Sequence, residues 1–134
     1  MHEPFLARLP MGEDLLEAIQ REFEKRSMSK GSFTVIGAVD RAVLGFYDPV
    51  SRVYRNREFP EPLEIAACMG NVSLKDGAIF VHAHAVLSGA DFHCIGGHLM
   101  PGTIIFASEL CGREVPGDPL VRGFDEKTGL TLWI

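Results

Sequence analysis

The chain has few of the residues that stabilise small secreted proteins or that bind nucleic acids. It has three cysteines in 134 residues, no Cys-x-x-Cys pair, and fewer basic than acidic residues, 13 against 18. An odd number of cysteines without paired spacing argues against a disulfide framework and against a cysteine-based zinc motif. We therefore expect Cys68, Cys94 and Cys111 to be reduced thiols buried in apolar surroundings.

The sequence also lacks an apolar run of the roughly 20 residues that a helix needs to span a bilayer. The first residues, Met1-His2-Glu3-Pro4, do not have the basic start and apolar run of a signal peptide. We therefore expect no membrane partner and a cytoplasmic location. The net charge of −5 disfavours DNA binding, which normally needs a basic surface for the phosphates.

Several catalytic motifs are missing as well. The sequence has no Gly-x-x-x-x-Gly-Lys-Ser/Thr phosphate loop and no Gly-x-Ser-x-Gly nucleophile elbow. It also lacks the His-x-Glu and Pro-Cys-x-x-Cys pair of the zinc deaminases. These absences disfavour P-loop NTPase, serine hydrolase and deaminase chemistry.

The hydrophobic pattern predicts one main helix followed by a series of strands. Apolar residues at three- and four-residue spacing, from Leu15 to Phe23, predict a helix over residues 12–26. The predicted strands cover residues 32–39, 42–47, 52–57, 63–69, 78–87, 92–95, 103–110 and 129–134. Residues 52–57 carry three arginines, and we expect them to form a polar edge strand.

Turn signals separate the predicted strands. Asp40-Arg41 is interpreted as a tight connection, and Asp76-Gly77 is a strong hairpin signal. One helix packed on a mainly antiparallel sheet gives an α+β fold class. The length fits a single domain over residues 1–134.

The feature that points to chemistry is a cluster of histidines. His82 and His84 lie two residues apart in an apolar run, so a strand places both side chains on one face. His98 follows a Gly-Gly pair, and glycine permits close approach of the backbone. Three imidazoles can hold a metal ion with one coordination position open. The alternative is that each ring is satisfied by hydrogen bonds to the backbone or to a carboxylate.

Two carboxylates, Glu64 and Glu109, lie in otherwise apolar segments. Each is a candidate to orient a ligating imidazole or to accept a proton, and an ion pair or an oligomer interface is the alternative for both. His93 lies at an expected turn and is interpreted as a solvated neighbour. A cupin would also carry His-x-His on a strand, but it would follow the pair with a glutamate, which residues 85–89 do not contain.

The order of several motifs resembles the PPC domain, the family conserved in plants and prokaryotes. The likeness spans nearly the whole chain. The motifs that carry it are Leu9-Pro10-Met11-Gly12-Glu13-Asp14-Leu15, Gly37-Ala38-Val39, Glu64-Ile65, Gly70-Asn71-Val72-Ser73, His82-Ala83-His84-Ala85, Gly96-Gly97-His98-Leu99 and Asp125-Glu126-Lys127-Thr128-Gly129-Leu130.

The resemblance implies a curved, mainly antiparallel sheet, one main helix and a homotrimer. It also implies a divalent metal, zinc as the first choice, at His82, His84 and His98, which match the prokaryotic pattern and are replaced in plant members. Prokaryotic members are commonly labelled DNA-binding proteins. Plant members join the domain to a separate AT-hook, and its Arg-Gly-Arg-Pro core does not occur here.

Three functional hypotheses follow. The first is a trimeric binding or regulatory protein in which the metal is structural or tunes the recognition of a partner. The second is a metal-dependent enzyme, most simply a hydrolase, with a small-molecule ligand at the open coordination position. The third is direct DNA binding, against which three chains would carry a combined charge of three times −5, or −15. Three imidazoles also accept nickel, cobalt, copper or iron, so the sequence alone does not select the metal.

Overall fold

A computed structural model describes residues 2–134 of the chain. The elements are β1 (Phe5–Leu9), α1 (Leu15–Glu24), β2 (Gly31–Asp48), β3 (Val53–Phe59), β4 (Leu63–Lys75), β5 (Ala78–Ser88), β6 (Cys94–Leu99), β7 (Ile104–Glu114), β8 (Arg122–Phe124) and β9 (Thr131–Trp133). The α+β class, with one main helix and a mainly antiparallel sheet, is confirmed.

The main sheet has seven strands, and every pairing in it is antiparallel. Its order is β1-β7-β2-β4-β5-β6, and β3 pairs with β2 off this path. Strand β6 pairs with β5 on one side and with β2 on the other, so the sheet curls back on itself. The short strands β8 and β9 form a separate hairpin.

Strand β2 shows where one turn prediction was wrong. Asp40-Arg41 is no tight connection, because β2 continues through it for 18 residues. Register shifts against β7 lie around Val39, and a further one lies between Val35 and Gly37 against β4. These irregularities bend the strand without interrupting it, which is the usual effect of β-bulges.

Helix α1 covers one face of the sheet, and this buried face is called the inner face below. Asp14 caps the helix by accepting a hydrogen bond from the Glu17 amide, and its other carboxylate oxygen accepts one from the Gly102 amide. Phe23 packs its ring against Phe33 at 6.1 Å between centroids. The helix is ten residues long, and no helix among residues 2–134 is long and apolar enough to cross a membrane.

The opposite face of the sheet is called the outer face. The expectation that all three cysteines are buried is wrong, because only Cys68 lies on the inner face. Cys111 lies on the outer face of β7, and Cys94 lies at the exposed start of β6. Burial raises the pKa of the Cys68 thiol to about 12.

Candidate metal site

The two faces of β5 separate as the sequence predicts. Val81, Ala83 and Ala85 are buried on the inner face. His82 and His84 therefore project from the outer face, where they lie opposite Asn71 and Met69 of β4. This placement is a direct result of strand alternation in an apolar sequence.

The β4–β5 turn fixes that placement. Asp76 and Gly77 both have positive φ angles, 51° and 78°, as the two central residues of a type I′ hairpin turn require. Lys75 then pairs with Ala78, and the register of β5 follows from this pair. The hairpin predicted at Asp76-Gly77 is confirmed.

Strand β6 brings the third imidazole to the pair. His98 lies directly opposite His84, so their side chains share the outer face. Gly97 lies within β6 and not in a turn, and a Cβ at this position would come within 3.0 Å of the Gly45 carbonyl oxygen. Glycine therefore allows β6 to approach β2 while it delivers His98.

The three rings form a compact triangle. The centroid of His82 lies 5.2 Å from that of His84 and 5.0 Å from that of His98, and the remaining pair is 5.4 Å apart. One nitrogen of each ring lies within 4.8 Å of the others, and the Nε2 atoms of His82 and His84 are 3.3 Å apart. Zinc–nitrogen bonds of about 2.0–2.1 Å in a tetrahedron place two ligand nitrogens about 3.3–3.4 Å apart. The spacing of His82 and His84 fits a zinc-sized cation, and the nitrogen of His98 lies within 4.8 Å of both.

Two of the imidazoles are held in the form that a metal needs. Burial, followed by the charges of His82, His84 and Arg122, lowers the pKa of His98 to about 4. Burial, followed by the charges of Arg122 and His84, also lowers the pKa of His82. Both rings are therefore neutral at pH 7, with a lone pair available for coordination.

The histidines line a cavity of about 1170 Å³. Aromatic and apolar side chains form much of its wall, including Phe46, Tyr54 and Phe80. The ring of Tyr54 packs on His98 with 5.1 Å between centroids. No aspartate or glutamate is among the residues, within 2–134, that line the cavity. The metal candidates therefore face a space suited to a small molecule.

The C-terminal hairpin forms one side of this cavity. Arg122 at the start of β8 donates hydrogen bonds to Ser73 Oγ at 3.0 Å and to Asn71 Oδ1 at 3.2 Å. Its guanidinium lies between two rings, 5.3 Å from the Phe80 centroid and 5.1 Å from that of Trp133. These contacts attach the hairpin to the outer face beside His82.

The two carboxylates singled out from the sequence lie elsewhere. Glu64 and Glu109 are both exposed, and neither lines the cavity of the histidines. Glu109 borders a separate cavity of about 460 Å³ at strands β1, β2 and β7. His93 is exposed and contacts Asp91, with 3.1 Å between Nδ1 and the carboxylate.

The sequence was compared with known proteins and domain families. Residues 1–115 match the family model of the Plants and Prokaryotes Conserved (PCC) domain. The chain belongs to this family. The predicted resemblance to the PPC domain is therefore confirmed. No curated protein is similar enough to this sequence to add a comparison.

Solved structures of the Plants and Prokaryotes Conserved fold agree with this assignment. A metal-containing protein of Archaeoglobus fulgidus is 41% identical, with a TM-score of 0.94 over 99% of this chain and 94% of that chain. A plant- and prokaryote-conserved protein of Pyrococcus horikoshii is 32% identical, with a TM-score of 0.93 over 99% of this chain and 92% of that chain. A candidate DNA-binding protein of Bacteroides thetaiotaomicron is 21% identical, with a TM-score of 0.90 over 100% of this chain and 93% of that chain. At this identity the likeness supports the fold alone.

Arg122 and Tyr54 belong to the site but were not predicted from the sequence. Arg122 reaches the histidines only because a hairpin near the C-terminus folds back over β4 and β5. Nothing in the local sequence around either residue indicates this proximity. A strand was predicted at residues 129–134, but without a position for that strand in the fold.

Proposed function

We propose that this Plants and Prokaryotes Conserved domain binds a divalent metal, zinc as the first choice, through His82, His84 and His98. The observation that carries the proposal is the convergence of three imidazole nitrogens within 4.8 Å at the edge of a large cavity. Imidazole is a favoured ligand of zinc and of neighbouring transition metals. The 41% identical Archaeoglobus protein is itself named as metal-containing.

The proposed site is of the open kind. Structural zinc sites are usually closed by four protein ligands, whereas three protein ligands leave a position for a small molecule. Among residues 2–134, these three histidines are the only group of histidine, cysteine or carboxylate side chains close enough together to hold a metal ion, and no carboxylate lines the cavity beside them. A cation held there would act as a Lewis acid toward a ligand oxygen in the cavity.

Binding fits the cavity better than the hydrolytic alternative does. General base catalysis needs a proton acceptor within about 3 Å of the reacting group, directly or through one water. Glu64 and Glu109 do not line the cavity, and the three histidines that do line it are all assigned to the metal. The proposed function is therefore metal-dependent recognition of a small molecule, in a regulatory role.

We also propose that the protein is a homotrimer. The part of the outer face that the C-terminal hairpin leaves free exposes large apolar side chains, with Leu6 at 82%, Ile36 at 57% and Met69 at 62%. Exposed apolar side chains on one face support an interaction site there. The number of three subunits comes from the resemblance to the PPC domain. Association through the outer face would remove it from water.

DNA is the weaker partner candidate. The basic residues of β3 are already engaged, since Arg55 contacts Asp48 and Arg57 lies over the Phe59 ring. Glu58 follows them directly on the same strand. With a net charge of −5 per chain, the protein has no evident excess of cations for phosphate binding.

We propose one domain over residues 1–134, although the family match ends at residue 115. Arg122 and Trp133 both donate hydrogen bonds to the buried hydroxyl of Ser73 on β4. The hairpin therefore shares the packing of the main sheet.

Metal analysis of protein purified without added metal tests the central proposal. We expect about one metal ion per chain in the wild type and in the His93→Ala control, which changes an exposed histidine outside the cluster. His98→Ala should weaken metal binding by roughly 100-fold or more, because losing a ligand costs at least as much as losing its supporting contacts. Circular dichroism checks that each variant is folded.

Full metal content in both His82→Ala and His98→Ala would show that these histidines are not the ligands. Metal-free wild type that takes up no zinc in a direct titration would contradict the proposal as well.

A further inference from the structure

Arg122 carries a charge that its surroundings do not balance. The residue is only 9% exposed, and no carboxylate of residues 2–134 lies within salt-bridge distance of it. Its hydrogen bonds all go to neutral oxygens, namely Ser73 Oγ, the Thr131 carbonyl and Asn71 Oδ1. A guanidinium has five N–H donors, so further donors remain for another acceptor. Burying a charge without a counter-ion is costly, which points to an anion from outside the chain.

The cavity wall as a whole favours an anion. Arg52, Lys75 and Arg122 line it, together with no aspartate or glutamate among residues 2–134. A cavity lined by one sign of charge focuses its field and concentrates the opposite ion, even in a protein whose net charge is negative. Arg52 is exposed, so water already solvates its charge, whereas Arg122 is buried. Arg122 is therefore the guanidinium best placed to receive the anion.

The rest of the wall selects an apolar body. Phe46, Tyr54, Phe80 and Val86 line the same cavity, and its volume of about 1170 Å³ is large for a simple ion. Pockets of this kind bury the apolar part of a ligand and orient it through a few polar groups. One guanidinium fork matches one carboxylate in a bidentate pair.

We propose that this cavity binds an organic carboxylate with an apolar or aromatic body, and that Arg122 pairs with the carboxylate. Asn71, which accepts a hydrogen bond from Arg122, is the cross-strand partner of His82, so the anion position adjoins the histidine cluster. The assignment rests on the proposed metal-dependent function for its biological role, and it names the class of small molecule recognised there. Pairing with Arg122 itself requires no metal.

The test uses 4-phenylbutyrate and its neutral amide, 4-phenylbutyramide, as probes in isothermal titration calorimetry. Chelator-treated wild type should bind the acid at least tenfold more tightly than the amide. Arg122→Met should remove that preference, whereas Arg57→Met, outside the cavity wall, should retain it. Arg122→Lys should give an intermediate preference, because it keeps the charge and loses the fork. The wild-type comparison of acid and amide needs no variant, so it holds even if Arg122→Met fails to fold.

Repeating the titration with zinc separates this proposal from the metal proposal. If the wild type takes up no zinc but still prefers the acid through Arg122, the metal proposal fails and the anion site stands. Equal affinity for acid and amide, or no binding of either probe with and without zinc, would overturn the anion site. Inorganic phosphate that displaces 4-phenylbutyrate at equal concentration would overturn the carboxylate assignment. Trp133, the one tryptophan of the chain, packs on Arg122 and provides an independent fluorescence signal.

Discussion

The two faces of the sheet differ in what their side chains do, although they share the same strands. On β5, the side chains of Val81 and Ala83 contribute to the core. The alternating residues His82 and His84 face the cavity. A shift of one residue along the strand thus separates a core position from a site position. Packing constrains the inner face, whereas the proposed metal site and the proposed subunit contact lie on the outer face.

The outer face is itself divided along one row of cross-strand neighbours. The row runs from Leu6 on β1 to His98 on β6, and its members in order are Leu6, Cys111, Thr34, Met69, His84 and His98. Its first part is exposed and mostly apolar, and its last part is the histidine cluster. The metal candidates and the proposed subunit contact are therefore parts of one continuous surface.

The largest expected difference between the faces is in the free energy of unfolding lost when a leucine on each face is replaced by alanine. Leu110 and Leu6 lie on the paired strands β7 and β1, at 1% and 82% exposure. Leu110→Ala should lower the free energy of unfolding by about 2–5 kcal/mol, because it opens a cavity in the core. Leu6→Ala should cost less than about 0.5 kcal/mol, as surface substitutions usually do.

Urea unfolding at a protein concentration too low for association measures both values. Similar losses for the two variants would mean that the faces do not differ in their contribution to subunit stability.

The reactivity of the cysteine thiols should also differ between the two faces. Burial raises the pKa of Cys68 to about 12, so its thiolate fraction at pH 8 is roughly 2000-fold below that of an ordinary thiol of pKa about 8.5. Cys94 and Cys111 are exposed. At a protein concentration too low for association, we expect Ellman's reagent to modify two thiols of the native protein rapidly at pH 8, and the third only after addition of denaturant.

A Cys68→Ala variant serves as the control and should retain both rapid reactions. Three thiols that react at the same rate in the native wild type would contradict the assignment of Cys68 to the inner face.

Association should respond to one charge on the apolar part of the outer face. Ile36→Asp should weaken the proposed trimer by roughly tenfold or more, because the carboxylate would have to be desolvated in the contact. Val50→Asp, at a position that is 91% exposed in the β2–β3 turn, should not alter it. Sedimentation velocity over a range of concentrations measures the difference. Wild type that sediments as a monomer throughout would exclude the trimer.

Local patterns predicted the elements that depend on local physics. The alternation of β5, the Asp76-Gly77 turn and the core of α1 follow from spacing and turn chemistry, and the structure agrees with each. The predicted helix over 12–26 is longer than the observed Leu15–Glu24, because Asp14 caps it and residues 12–13 precede the cap.

Longer-range features were not accessible in the same way. Strand β1 was not predicted, because its residues form a strand by pairing with β7, which lies about 100 positions later in the chain. Cys111 looked buried from its apolar neighbours, although its strand position places it on the outer face. The role of Arg122 depends on where the C-terminal hairpin folds, which no local pattern encodes.

The site depends on the length of the two-residue turn at Asp76-Gly77. Because side chains alternate, inserting one residue after Gly77 and keeping a two-residue turn would shift the β4–β5 register by one residue and exchange the faces of every position on β5. The side chains of Val81 and Ala83 would then project from the outer face, and both imidazoles would enter the core. The position of both histidines therefore depends on the length of a turn that does not contact the ligand. Length variation at this turn would separate family members that keep the histidine cluster from those that cannot form it.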